Sequence, residues 1–195
     1  MITKTAQIVA LVVVGALSAC GGSTVGGPSG DPASLTLADL PDGWVAVPNG
    51  AVEGGVSPCL DMLSAPGGPL DPANARTTRF AAGPDGPFLF ASVLDRPAEQ
   101  TLPEIDGIVV PCDATKGPAG HALNVQGAVI DGLPADSFAA EGRNSKDGAV
   151  YRYTVVSAGT GKATAIVLLG APSGEVDQAL AAEALNTLHD RLPGN

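Results

Sequence analysis

Positive charge is scarce in this chain: ten Lys and Arg stand against twenty Asp and Glu in 195 residues, a formal net charge of −10. So acidic a chain is a poor binder of nucleic acid or of anionic lipid headgroups by charge. Aromatic residues are also few, with two Tyr, one Trp and four Phe, too few for a broad stacking platform. The two histidines, His121 and His189, and the three cysteines contain no C-x-x-C spacing, which argues against a zinc or redox centre. Long apolar runs are missing as well. The longest, Ile8 to Leu17, is about ten residues, half of the ~20 that a spanning helix needs.

What is present begins with that short run. Lys4 makes a weakly basic start, Ile8 to Leu17 an apolar core, and Gly15, Ala16, Ser18 and Ala19 the small residues of a cleavage site. Leu17-Ser18-Ala19-Cys20 resembles the lipobox of bacterial lipoproteins. That resemblance implies cleavage before Cys20 and a covalent diacylglycerol and N-acyl chain on it. No other cofactor is expected. Gly21, Gly22, Gly26, Gly27, Gly30, Pro28 and Pro32 then make a segment too poor in apolar residues to fold. The expected organisation is a signal peptide over 1–19, a lipidated cysteine and tether over 20–33, and one globular domain over 34–195. Two or more acyl chains anchor durably, so the expected location is the extracytoplasmic face of the plasma membrane. The wealth of Ala, Gly, Pro and Val is associated with a high-GC, actinobacterial genome.

With Cys20 acylated, Cys59 and Cys112 remain as a pair in an oxidising compartment. A disulfide between them is the favoured reading, and two free thiols or a redox or metal pair are its rivals. It would close a loop of about 54 residues, contributing roughly 4 kcal/mol by chain-entropy reasoning.

Hydrophobic alternation predicts strands over 44–47, 77–82, 87–94, 123–130, 137–141, 149–157 and 162–169. Gly83-Pro84-Asp85-Gly86 marks a hairpin between the second and third. Ser57-Pro58 opens a short predicted helix through Leu63, and Thr101-Leu102-Pro103-Glu104 reads as a capping box opening a second. A third runs from Ser173 to about Leu192, with Val176, Leu180, Leu185, Leu188 and Leu192 as its core stripe. No strand–long helix–strand alternation repeats. The fold class is therefore α+β: one domain, an antiparallel sheet of about six to seven strands packed with two or three helices.

Catalytic motifs fail on their own spacing. Gly161-Lys162 lacks the glycine at 156 and the Ser or Thr at 163 that a phosphate-binding loop needs, since Val156 and Ala163 stand there. No serine of the domain sits in a G-x-S-x-G frame. His121 reads as a strand-edge residue, and His189 as a helix C-terminal group complementing the dipole. Asp131, Asp136 and Glu141 lack calcium-loop spacing and read as solvated groups. Trp44 reads as a core anchor. Phe88-Leu89-Phe90 suits a strand covered on both faces, which makes Phe88, Phe90, Val109 and Leu123 the candidate contacts for an apolar ligand.

Together, the lipobox, the Gly-rich tether, the Leu40-Pro41-Asp42-Gly43-Trp44 opening and the Cys59…Cys112 pair make the chain resemble a mycobacterial-type cell-envelope lipoprotein. Its element order is similar to that of PsbP/Mog1-like lipoproteins and of the extracellular sensor domain of mycobacterial receptor kinases. Both resemblances imply an antiparallel sheet between helices, although the sensor domain is expected to carry two bridges where this chain offers one. A lipid-carrying lipoprotein with a half-barrel cavity, a third relative, usually needs a longer chain. The expected function is a non-catalytic, membrane-anchored binding or scaffolding domain for an envelope protein or a small apolar ligand. A lipid or glycolipid carrier and an enzyme of unknown type are the alternatives. Replacing Cys59 and Cys112 together by Ser should lower unfolding stability by about 4 kcal/mol; urea denaturation of oxidised wild type and double variant measures it, and equal midpoints would exclude the bridge.

Overall fold

The computed structural model describes residues 32–48, 63, 67–71, 73–109, 121–146, 149–172 and 174–195. Cys20, Cys59, Cys112 and the predicted helix before Leu63 lie outside them, as does the predicted tether up to residue 31. The described chain runs β1 (Val45–Ala46), β2 (Ala75–Ala81), β3 (Phe88–Leu94), α1 (Ala98–Val109), β4 (His121–Gly127), β5 (Phe138–Lys146), β6 (Ala149–Gly159), β7 (Thr164–Ala171) and α2 (Gln178–Asp190). The seven strands form one sheet in the order β1-β2-β3-β7-β6-β5-β4, and every pairing is antiparallel. This is the single-sheet α+β domain that the hydrophobic pattern predicts.

All eight residues of β7 are buried, because the strand lies mid-sheet with a helix on each face. Towards α2 point Leu89, Ala91 and Val93 of β3, Val156 and Ala158 of β6, and Ala165, Val167 and Leu169 of β7, against Leu180, Ala181, Ala184, Leu185 and Leu188. The opposite face sets Leu94, Tyr153, Val155, Ile166 and Leu168 against Ile105 and Val109 of α1. The alternation of strand residues between these two layers is the period-two geometry of a pleated strand. Trp44 packs on the α2-side core, as expected for an anchor. Tyr153 faces Gly142 across β5–β6, and a Cβ at Gly142 would run into its ring, so only glycine fits beneath the tyrosine.

Two helix starts differ from the expectation. α1 begins at Ala98, not at Thr101. The Ala98 N–H donates to Thr160 O at 3.0 Å, and the Gln100 and Thr101 N–H groups both close on Pro97 O. Thr101 is therefore inside the first turn, its hydroxyl donating back to Pro97 O at 3.0 Å, while Glu104 pairs with Arg96 at 2.9 Å. Pro103 is left within the helix and removes one helical hydrogen bond. The helix is held against that loss by Thr101, Ile105 and Val109, which are buried one turn apart. α2 starts at Gln178 with Asp177 as its N-cap, whose Oδ1 accepts from the Leu180 N–H at 3.0 Å. The glycine at 174 adopts φ 93°, a left-handed conformation that delays the helix beyond the predicted Ser173. β5 also runs on to Lys146, five residues past its predicted end.

The segment before β1 is fastened to the end of α2. Arg191 Nη1 donates to Asp39 Oδ2 at 2.9 Å and Nη2 to Oδ1 at 2.5 Å, a bidentate pair, and Nη1 also donates to Ser34 O at 2.8 Å. The Arg191 guanidinium holds the Asp39 carboxyl down at about 2, helped by the Thr36 N–H and hydroxyl against the opposing effect of partial burial. A carboxylate whose pKa is lowered on folding adds stability above its unfolded value of 3.8 and loses it as the pH falls towards about 2. Discounted for solvent screening, the pair should contribute about 1–2 kcal/mol at pH 7. Asp39→Asn should therefore cost about that much at pH 7 and little at pH 2; urea midpoints of both proteins at the two pH values test this, and an equal deficit at both would refute the ionic contribution.

Candidate functional site

The helix α2 is narrower than the sheet it covers. A helix is about 10 Å across and strands lie about 4.8 Å apart, so one helix shields roughly two strands. On this face α2 lies over β6 and β7, and the 33–44 segment adds Ala33, Leu35, Leu40 and Trp44 to the same core. The half formed by β4, β5 and the first turns of β6 extends past that cover, and its residues turn polar. A groove of about 630 Å³ opens there, bounded by this half-sheet and by Glu175 to Gln178 before and at the start of α2.

Strand register orders the floor of the groove into two rows. Gln126, Glu141 and Thr154 form one, and Asn124, Arg143 and Arg152 the other. In the first row Gln126 Nε2 donates to Glu141 Oε1 at 2.6 Å, and Gln178 Nε2 of α2 donates to Oε2 at 3.1 Å. Glu141 thereby ties the edge strand to the helix across the groove. Its two oxygens are each engaged by a neutral amide. Asp177, also on the rim, is engaged as the helix cap. In the second row, Arg143 and Arg152 stand directly opposite one another, and both are exposed. Such an arrangement suits the holding of a polar ligand by hydrogen bonds and charge.

Phe88, Phe90 and Val109 do not line this groove. Val109 is fully buried beside Ile105 in the layer between sheet and α1, and Phe90 packs against that layer. Arg79, opposite Phe90 in the β2–β3 ladder, carries its guanidinium 5.3 Å from the ring centre. Phe88 is half-buried at the Gly86 turn, where a Cβ would come within 2.9 Å of its ring. Leu123 belongs to β4, with β7, β6 and β5 lying between that strand and β3. The structure thus brings Phe90 and Val109 to one face and puts Phe88 and Leu123 on widely separated strands.

His121 opens edge strand β4, and His189 is in the last turn of α2, where Asn195 Nδ2 donates to its carbonyl at 3.1 Å. Asp131 and Asp136 are exposed in the turn before β5. Among the described residues no three His, Cys, Asp or Glu side chains gather around a common point, and no helix is long and apolar enough to cross a membrane. The groove residues Arg143 and Arg152 escaped the sequence reading because Arg143 fell beyond the predicted end of its strand. The signal that would have found them is Asp147-Gly148: a two-residue hairpin at that dipeptide sets 143 opposite 152. No protein-family model matches the chain, and no curated protein matches it either.

Proposed function

We propose that this chain is an extracytoplasmic lipoprotein, anchored through acylated Cys20 and the tether that follows it, of which Ala33 is already packed in the domain core. Its domain is a non-catalytic binding module that takes a polar ligand in the groove between β4–β6 and the start of α2. The observation that carries the reading is the groove itself: polar side chains from three strands and one helix converge on a single space of about 630 Å³. In size this falls within the range of small-molecule sites. The engagement of Glu141 and Asp177 by N–H donors favours binding over proton-transfer chemistry.

The position of the groove agrees with tethering. Ser34, the first residue after the tether, is held by Arg191 at the C-terminal end of α2, whereas Val176 to Gln178 line the groove at its other end. Thirteen residues of α2 separate the two by about 20 Å at 1.5 Å per residue. An anchor at one end of the helix leaves the groove open at the other.

Two measurements test the reading. In detergent phase partition, wild type should enter the detergent phase and Cys20→Ala should stay in water; an aqueous wild type would overturn the anchor. Native mass spectrometry of protein purified from its own host should show a co-purified small molecule that is lost in Asn124→Trp, which fills the groove from the edge strand. The adduct should persist in Glu99→Gln on α1. Absence of an adduct, or an adduct indifferent to Asn124→Trp, would overturn the groove as the binding site.

A further inference from the structure

We propose that Arg143 and Arg152 are a phosphate-binding pair, so that the groove takes a small hydroxyl-rich molecule bearing a phosphomonoester. The proposal rests on the groove reading above and adds the ligand class. Of the six arginines, Arg76, Arg96 and Arg191 pair with Asp95, Glu104 and Asp39, and Arg79 stacks over Phe90. Arg143 and Arg152 have neither a carboxylate nor a ring among the described residues. They are also the two that the β5–β6 register sets directly opposite each other, at the short cross-strand separation where like charges repel. In a chain of net charge −10, two adjacent cations without a counter-ion stand against the overall balance.

No carboxylate of the groove makes an ion pair with either guanidinium among the described residues. Glu141, two residues along β5 from Arg143, already accepts from Gln126 and Gln178. Asp177 accepts from the Leu180 N–H. Glu175 is exposed on the rim and forms an ion pair with neither arginine. An external anion is what the pair lacks.

The chemistry of the anion follows from the donors. Each guanidinium presents a rigid fork of N–H groups suited to two acceptor oxygens. One carboxylate has two oxygens and satisfies a single fork. A phosphomonoester has three strong acceptor oxygens and a charge of about −1.5 to −2 at pH 7, and so can be shared between two forks. Asn124, beside Arg143 in the same row, and Gln126 in the next offer amides to the rest of the ligand. With most of the 630 Å³ groove lying outside a single phosphate, the remainder is hydroxyl-bearing rather than apolar. The source is either a soluble sugar phosphate or a phosphorylated lipid headgroup, which share this chemistry.

Isothermal titration of the full-length, detergent-solubilised protein with inorganic phosphate, glucose 6-phosphate and glucose tests the pairing. Co-sedimentation with phosphatidylcholine vesicles, with and without phosphatidylinositol 4-phosphate, distinguishes the source. Glucose 6-phosphate should bind one to one and at least tenfold more tightly than glucose, and Arg143→Gln or Arg152→Gln should each weaken it at least tenfold. Because each substitution relieves repulsion, both variants should melt at or above the wild-type temperature; a lower midpoint would overturn the premise that the pair is unneutralised. Retention only on the phosphoinositide vesicles, lost in the same variants, would support the proposal and assign the phosphate to a headgroup. If no phosphate probe binds, or binding survives both substitutions, the proposal is overturned; a host adduct that still depends on Asn124 would then leave the groove reading standing.

Discussion

Eight consecutive buried residues in the central strand, Thr164 to Ala171, oblige this chain to cover both faces of one sheet. A strand with no polar face cannot sit at an edge or against water without exposing Val167, Leu168 and Leu169. From that requirement follow the two helices on opposite faces and the long excursion from β3 through α1 to the far edge strand β4. The same requirement demands that buried polar groups close on the protein. Ser157 donates to Ala165 O at 2.8 Å and Thr164 to Arg96 O at 2.8 Å, so these two buried hydroxyls are satisfied.

The groove is the remainder of the same geometry. One helix cannot span seven strands, and the chain marks the limit of cover by a change of residue type within single strands. Along β6, Val156 and Ala158 face α2, but Thr154 and then Arg152 follow on that same face. Across β5 the change runs from Ala139 to Glu141 and Arg143. On the opposite face, Val125, Ala140 and Tyr153 remain apolar and are covered by the α1 layer. The sheet is thus two-sided in the usual sense over its middle and has a polar window on one side of one half.

The elements themselves were legible because burial imposes period two on strands and a three-to-four spacing on helices. The stripe of Leu180, Leu185 and Leu188 lies in the core as its spacing requires. Boundaries were less legible where one local signal outweighed another. Thr101 and Glu104 have the spacing of a capping box, but the tertiary bond from Ala98 to Thr160 O starts the helix a turn earlier and gives both side chains other partners. The groove was not legible from any one segment. Its rows exist only once 124, 143 and 152 are in register, and register is a property of three strands together. Gly142 shows the same point: its small size reads as a weak strand residue until Tyr153 is placed over it.

In the proposed anchored form, the clasp between Asp39, Ser34 and Arg191 sets the mechanical load path of the domain. Tension entering from residue 33 meets the bidentate Asp39–Arg191 pair before it reaches β1, a strand of two residues joined to β2 by two pairings. Without that fastening, the pull would rest on the packing of Ala33, Leu35 and Leu40 and then on β1, which could peel from the edge one hydrogen bond at a time. With it, force passes to Arg191 at the C-terminal end of α2, a helix whose buried residues pack on the middle of the sheet. The domain is thereby gripped at its strongest layer rather than at its weakest strand.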